Sequence, residues 1–369
     1  MKRLRVLIAA LAAMESAAGQ SQAPKAVPNE PSCPRCTITM RTLVTLGTDD
    51  GPGSIEGKPV SVNVDSRGRY WVFQELEPPT VFTPTGSVIG LAGRKGSGPG
   101  EFRSANHGIA VSDSMVVLDW QESRATVLGP DLKAIRTIRT RSGYGDVLMV
   151  DWPTMLVTTG WMSESNPPNS TMHRLSLAGP DMRILGSFGP RGTGGPMGNM
   201  EVQQLIGDAR DGVWSSYWNR PQFTKWDKNG ALRTSFKRHY DWFTPEMKGS
   251  LGAPTTPPMP RTGAIREDSE GLVWLFIHTP APTWKEGWEA PPVRYPGGGT
   301  EYATRKMVWD KLFRTYVEVI DPVQARVVAS HTFNGYVFET LPDRRAALYA
   351  VDISGIPRVH IVQLSLNGR

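Results

Sequence analysis

The sequence predicts an all-β protein: a six-bladed β-propeller whose ring is closed by an N-terminal strand joining the last blade. Three observations carry that expectation. A glycine-rich segment recurs, as "LGTDDGPG" ending at Gly53, "AGRKGSGPG" at Gly100, "RTRSGYG" at Gly145 and "FGPRGTGGPMG" at Gly198. An acidic turn followed by an apolar, alternating strand occurs six times, in "VDSRGRYWVF", "VSDSMVVLDW", "MVDWPTMLVTTGW", "GDARDGVWSSYW", "REDSEGLVWLF" and "LPDRRAALYAVD". Between these, segments such as "ATVLGPDLKAIRTI" and "FTKWDKNGALRTSF" read as hairpins by their Asp/Gly/Pro turns. One unit is then four strands in about 45–55 residues, the length of a propeller blade. The 38 glycines and 31 prolines are spread along the chain, which suits many short strands and turns.

The elements follow in chain order. Lys2, Arg3 and Arg5 lead into an apolar run from Val6 to Met14, and the small residues Ser16–Gly19 suit cleavage, so residues 1–19 read as an export signal. The run is too short to span a bilayer, and no later segment approaches that length. The expected location is the periplasm or the extracellular space. Residues 20–36 read as a linker containing Cys33 and Cys36 in "CPRC". In an oxidising compartment this pair reads as a small-loop disulfide. A redox motif would open a helix, whereas "TITMRTLVTL" after it is strand-like. A haem attachment would need His at position 37, which is Thr, and two ligands alone do not make a structural zinc site.

Charge narrows the partners. The chain carries a formal +6, of which the leader contributes +2, and the rest is dispersed without a basic stretch. Nucleic-acid binding needs clustered Lys and Arg to displace counterions, so that class is set aside. Apolar residues at 39% and charged residues at 21% argue for a folded chain, and a monomer is expected.

The propeller domain spans 37–369. Its glycine segment "GRKGSGPGEF" (93–102) superficially suits a phosphate loop, but Glu101 and Phe102 stand where Lys-Ser/Thr and a helix would be needed. It reads instead as a blade junction. The run G-x-G-P-G-E-F, with the following strand and "VVLDWQESRATVLGPD", resembles the NHL repeat, and the chain from about residue 40 looks like the exported bacterial six-bladed propellers. Asp119 and Arg124 match that repeat's Asp…Arg element, with Glu122-Ser123 where Asn is usual; Asn219-Arg220 matches in part, without the Asp. The resemblance implies a fold and leaves function open. The C-terminal "ALYAVDISGIPRVHIVQLSL" supplies about three strands, and residues 37–47 supply the fourth, which removes both sheet edges.

Ligands of such folds meet the channel-mouth face. The candidate contacts are Trp120 and Arg124 in blade two, Trp161 in blade three, Trp218 and Arg220 in blade four, and Trp284 and Trp288 in blade five. Packing between blades for each Trp, and bonds to adjacent loops for each Arg, are the bland alternatives. Blade five carries an insertion over 278–313, with Thr279–Thr300 expected as a mobile cover and Glu301–Phe313 as a short helix. No HExxH or comparable local metal motif occurs, although a propeller can assemble a site from one residue per blade. His107 and His278 should face the same mouth; His173, His331 and His360 fall in outer strands. The leading expectation is an exported binding module without a cofactor, taking a carbohydrate or a peptide or protein segment. The alternative is a propeller-type lyase or lactonase-like hydrolase in which His107 and His278 hold Zn or Ca or act in catalysis.

Overall fold

The computed structural model describes residues 23–140, 144–159, 170–190, 204–243, 256–288, 293–294, 300–301 and 307–369. Six antiparallel sheets form the six blades. Their first strands are Ser61–Val64, Ala105–Val111, Tyr144–Asp151, Gln204–Ala209, Arg261–Glu267 and Tyr336–Leu341. Each first strand touches the first strand of the next blade, and the sixth touches the first, so these strands line a closed channel. Strands then step outward in chain order; blade two runs Ala105–Val111, Ser114–Asp119, Arg124–Leu128, Ala134–Arg139.

Blade six is completed from the other end of the chain. Thr37–Leu46 is its outermost strand, antiparallel to Pro357–Asn367, with Thr37 opposite Asn367 and Leu46 opposite Val359. The core lies between blades, so inner strands such as Tyr70–Phe73 and Val273–Pro280 are buried along nearly their whole length. Trp71 and Phe73 of blade one meet Phe102, Ala105 and Met115 of blade two. Trp214 and Phe223 of blade four meet Ile265 and Val273 of blade five. Where blades crowd at the axis only glycine fits: a Cβ on Gly207 would fall on the carbonyl of Ile265.

The repeated acidic turns are structural. Asp65 Oδ1 accepts the amides of Arg67 and Arg69 while its Oδ2 accepts Trp71 Nε1 at 2.9 Å and Arg69 Nε at 2.7 Å. Asp268 does the same in blade five, toward Glu270 and Leu272 amides and Trp274 Nε1. An ionised side chain that satisfies turn amides and pins a core indole explains why the motif recurs.

The loop at 93–102 is a blade junction whose anion is built in. The Glu101 carboxylate accepts the Gly98 amide at 2.8 Å and Arg94 Nε at 2.6 Å, and those bonds hold it below the usual carboxylate range. Phe102, fully buried, drives the wedge between blades one and two. Gly96 and Gly100 take positive φ, at 148° and 72°.

Two features differ from the sequence reading. Residues 25–36, expected as a linker, form a strap along blades four to six. Lys25–Ala26 adds a parallel strand outside Leu232–Lys237, and the Ser32 amide donates to Val327 O at 2.8 Å. The disulfide Cys33–Cys36 then packs on the core shared by blades five and six. Alternation could not reveal this, because most strap residues are exposed. The helix expected over Glu301–Phe313 is one turn only, Trp309–Leu312, since Phe313 already starts the third strand of blade five; residues 302–306 lie outside the described residues.

Candidate functional site at the channel mouth

First strands all enter from one end of the channel, so residues at or just before their starts converge there. Lys58 precedes the first strand of blade one, His107 lies near the start of blade two's, Arg261 opens blade five's and Tyr336 opens blade six's. His278, in the second strand of blade five, pairs across from Arg261. Its ring stacks on Tyr336 with centroids 4.1 Å apart, and its Nε2–H donates to Val337 O at 2.6 Å. Arg261 Nη2 donates to the Tyr336 hydroxyl at 2.7 Å, and its guanidinium lies within 6 Å of the rings of Phe313, Trp309, Tyr336 and Trp218. Lys58 Nζ donates to Pro59 O at 2.8 Å and faces Phe338, Trp309 and Tyr336 at 5.3, 5.6 and 5.9 Å.

The electrostatics follow from that crowding. Desolvation, with the charge of Arg261 second, pushes Lys58 down to about 8. Desolvation and then Lys58 push His107 down to about 4, and burial with Arg261 holds His278 well below the usual imidazole range. Both imidazoles are therefore neutral at pH 7. Lower in the channel, desolvation raises Asp146 to about 7; desolvation and repulsion from Asp146 raise Glu339 to about 8. Lys58, His107, Asp146 and Glu339 all keep some exposed surface, yet protein walls enclose them, and the enclosure sets these directions.

Two clefts open beside this cluster and share Glu75. One, about 320 Å³, is lined by Lys58, Trp309, Glu56, Gln74 and Glu77. The other, about 260 Å³, is lined by Trp120, Gln121, Asn106, Ser104 and Leu76. A larger cleft of about 560 Å³ lies on the opposite face between blades five and six. Its charges are already matched, Arg266 to Asp208 and Arg344 to Asp268 and Glu270, so its volume alone gives it no chemistry.

The residues singled out from sequence divide among these places. Trp120, 45% exposed, lines the second cleft. Trp218 sits against Arg261. Arg124 donates to the carbonyls of Ser97 and Glu101 and so braces the junction loop, while Arg220 lies over the Tyr217 ring. Trp284 is in a 3-10 turn over 284–287, and Trp288 packs on the cluster of Met307, Trp309 and Phe313. Neither lines the two clefts; the insertion contributes Trp309 instead. That stretch is tied down, with the Ala281 amide on Leu312 O and the Val308 amide on Gly287 O. Trp161, residues 289–292 and 295–299 lie outside the described residues. His173, His331 and His360 make contacts within outer strands, to Ser187, Phe333 and Thr45.

His107 and His278 do lie in one electrostatic cluster, but it suits a cation poorly. Lys58 and Arg261 raise the local positive potential, and Nε2 of His278 is already engaged. Among the described residues, no group of three or more His, Cys, Asp or Glu is placed to hold a metal ion.

The chain is thus a six-bladed β-propeller with a polar, tryptophan-bearing mouth. No family model matches it, and no curated protein matches it in sequence. Solved structures share the fold. A member of the DUF4221 family from Bacteroides vulgatus aligns with a TM-score of 0.59 at 11% identity, over 90% of this chain and 99% of its own. A Bacteroides fragilis protein, named as a candidate exported protein, aligns with a TM-score of 0.56 at 10% identity, over 93% of this chain and 99% of its own. At such identities the likeness establishes the fold alone. No helix among the described residues is long and apolar enough to cross a membrane.

Proposed function

We propose that the protein is an exported binding module that holds a carbohydrate along the mouth face, between Trp309 and Trp120. The observation that carries the reading is the pair of adjoining clefts meeting at Glu75. Trp120, 45% exposed, stands at one end and Trp309, 9% exposed, closes the other; carboxylate and amide groups from Glu56, Glu75, Asn106 and Gln121 lie between, while Gln74 accepts the Glu56 amide and donates to Ser54 O. Indole faces suit the apolar faces of sugar rings, and the intervening acceptors and donors suit hydroxyls. In this reading Asp119 and Arg124 serve the blade junction, where Arg124 donates to Ser97 O and Glu101 O.

Calorimetry against oligosaccharide and peptide panels tests the reading. Trp120→Ala and Glu75→Gln, both at the surface, should weaken glycan binding by roughly tenfold or more each, with thermal stability unchanged. Unchanged affinity in both variants, or binding of peptides alone, would overturn it.

Export is supported by the basic, apolar and small-residue pattern of residues 1–19 and by a disulfide suited to an oxidising compartment. The mature chain should begin near Ala18–Gln20 and resist thiol alkylation until reduced. An intact mass that retains the leader, or two alkylated cysteines without reductant, would refute this.

A further inference from the structure

The mouth holds two neighbouring cations, Lys58 and Arg261, that form no ion pair among the described residues. Arg261 is 7% exposed and Lys58 is half-buried, yet among the described residues neither has a carboxylate within ion-pair distance. Several other enclosed cations do: Arg69 with Asp65, Arg238 with Glu318, Lys225 with Glu267 and Arg266 with Asp208. Like charges placed together in a poorly hydrated site are costly unless a counter-charge joins them. Glu339, deeper in the channel, attracts Lys58 but makes no ion pair or hydrogen bond with it or with Arg261, and desolvation pushes its carboxyl up to about 8. Of the acids in the Lys58 cleft, Glu77 is paired to Lys95 at 2.7 Å, and Glu56 and Glu75 are exposed at the rim.

We propose that Lys58, backed by Arg261, receives a carboxylate carried by the sugar in the adjoining cleft, so that the ligand is an acidic, uronate-type glycan. This deepens the glycan reading given above and rests on it. A uronate sugar can meet both kinds of charge in this wall if its carboxylate points to the Lys58 side, away from the acids at the rim. Its carboxylate accepts from Lys58 Nζ, its hydroxyls donate to Glu56 and Glu75, and Trp309 closes the cleft behind Lys58. A neutral sugar satisfies the acids and leaves the two cations unmatched.

The test uses the whole protein and three probes: tetragalacturonate, its methyl ester and sodium acetate, the last compared with chloride at constant ionic strength. The free acid should bind at least about tenfold more tightly than the ester, the scale of one charge-assisted hydrogen bond. Lys58→Met should abolish that preference by weakening the free acid at least about tenfold more than the ester. Acetate should raise the melting temperature of the wild type and of Trp120→Ala, and not of Lys58→Met. Equal binding of acid and ester, or an acetate effect that survives in Lys58→Met, overturns the proposal, as does the absence of any acetate effect. If neither oligosaccharide binds while acetate acts through Lys58, the groove reading fails and the carboxylate receptor stands.

Discussion

A chain lacking residues 37–46 should lose the cooperative thermal transition of the whole propeller. Thr37–Leu46 is hydrogen-bonded along Pro357–Asn367 and also feeds two cores. Ile38, 3% exposed, packs in the core shared by blades five and six, and Leu46, fully buried, packs in the core shared by blades six and one. Deleting the strand removes both side chains, opens a sheet edge and breaks the ring where the chain ends meet. A single cavity such as Leu46→Ala should cost about 2–5 kcal/mol, so losing the whole strand exceeds typical domain stability. Calorimetry and circular dichroism of the truncated protein decide the matter. A retained, cooperative transition would mean that the ring does not depend on this strand.

Arg238→Met should destabilise the protein by about 3–5 kcal/mol, the range for stripping one partner from a buried ion pair. The side chains of Arg238 and Glu318 are 1% and 0% exposed, and Arg238 grips the carboxylate through Nε at 2.8 Å and Nη2 at 2.7 Å. Tyr240 and Tyr316 donate their hydroxyls to the same carboxylate. The third nitrogen of Arg238 donates to Val27 O, to Pro28 O and to Asn29 Oδ1, which fastens the strap. The variant should therefore show a lower urea midpoint and faster proteolysis within residues 25–36. Removing the acid as well, in Arg238→Met/Glu318→Leu, should restore part of the loss by eliminating the unpaired charge. A midpoint within experimental scatter of the wild type would show that Val27 and its neighbours hold the strap without the arginine.

Blade number, junction loops and ring closure were legible because each rests on local chemistry repeated at a fixed spacing. Asp65 and Asp268 announce their turns wherever the motif stands, and Phe102 follows its glycines as an obvious wedge. The mouth was harder to read. Lys58, Arg261 and Tyr336 sit 75 to 278 residues apart and share only a position at or before the start of a first strand. His107 was found from that shared position, and applying the same rule to every blade would have found the other three. Trp309 was hidden because the insertion contains three tryptophans, and its proline-rich surroundings draw attention to Trp284 and Trp288. Which indole reaches a cleft depends on a one-turn helix that composition does not specify. The strap was invisible for a different reason: its anchor, Arg238, lies more than 200 residues away from the carbonyls it holds.

The completion of blade six by residues 37–46 sets a timetable as well as a shape. The strand leaves the ribosome first among the propeller elements, yet its partner, Pro357–Asn367, leaves last. Until then one apolar edge waits unpaired at the start of the nascent chain, and contacts of such sequence separation are slow to form. Blades one to five can assemble as they emerge, but the toroid cannot lock before the final strand is delivered. Until that moment the first and last blades can part without breaking a ladder, so resistance to opening arrives all at once with the final strand.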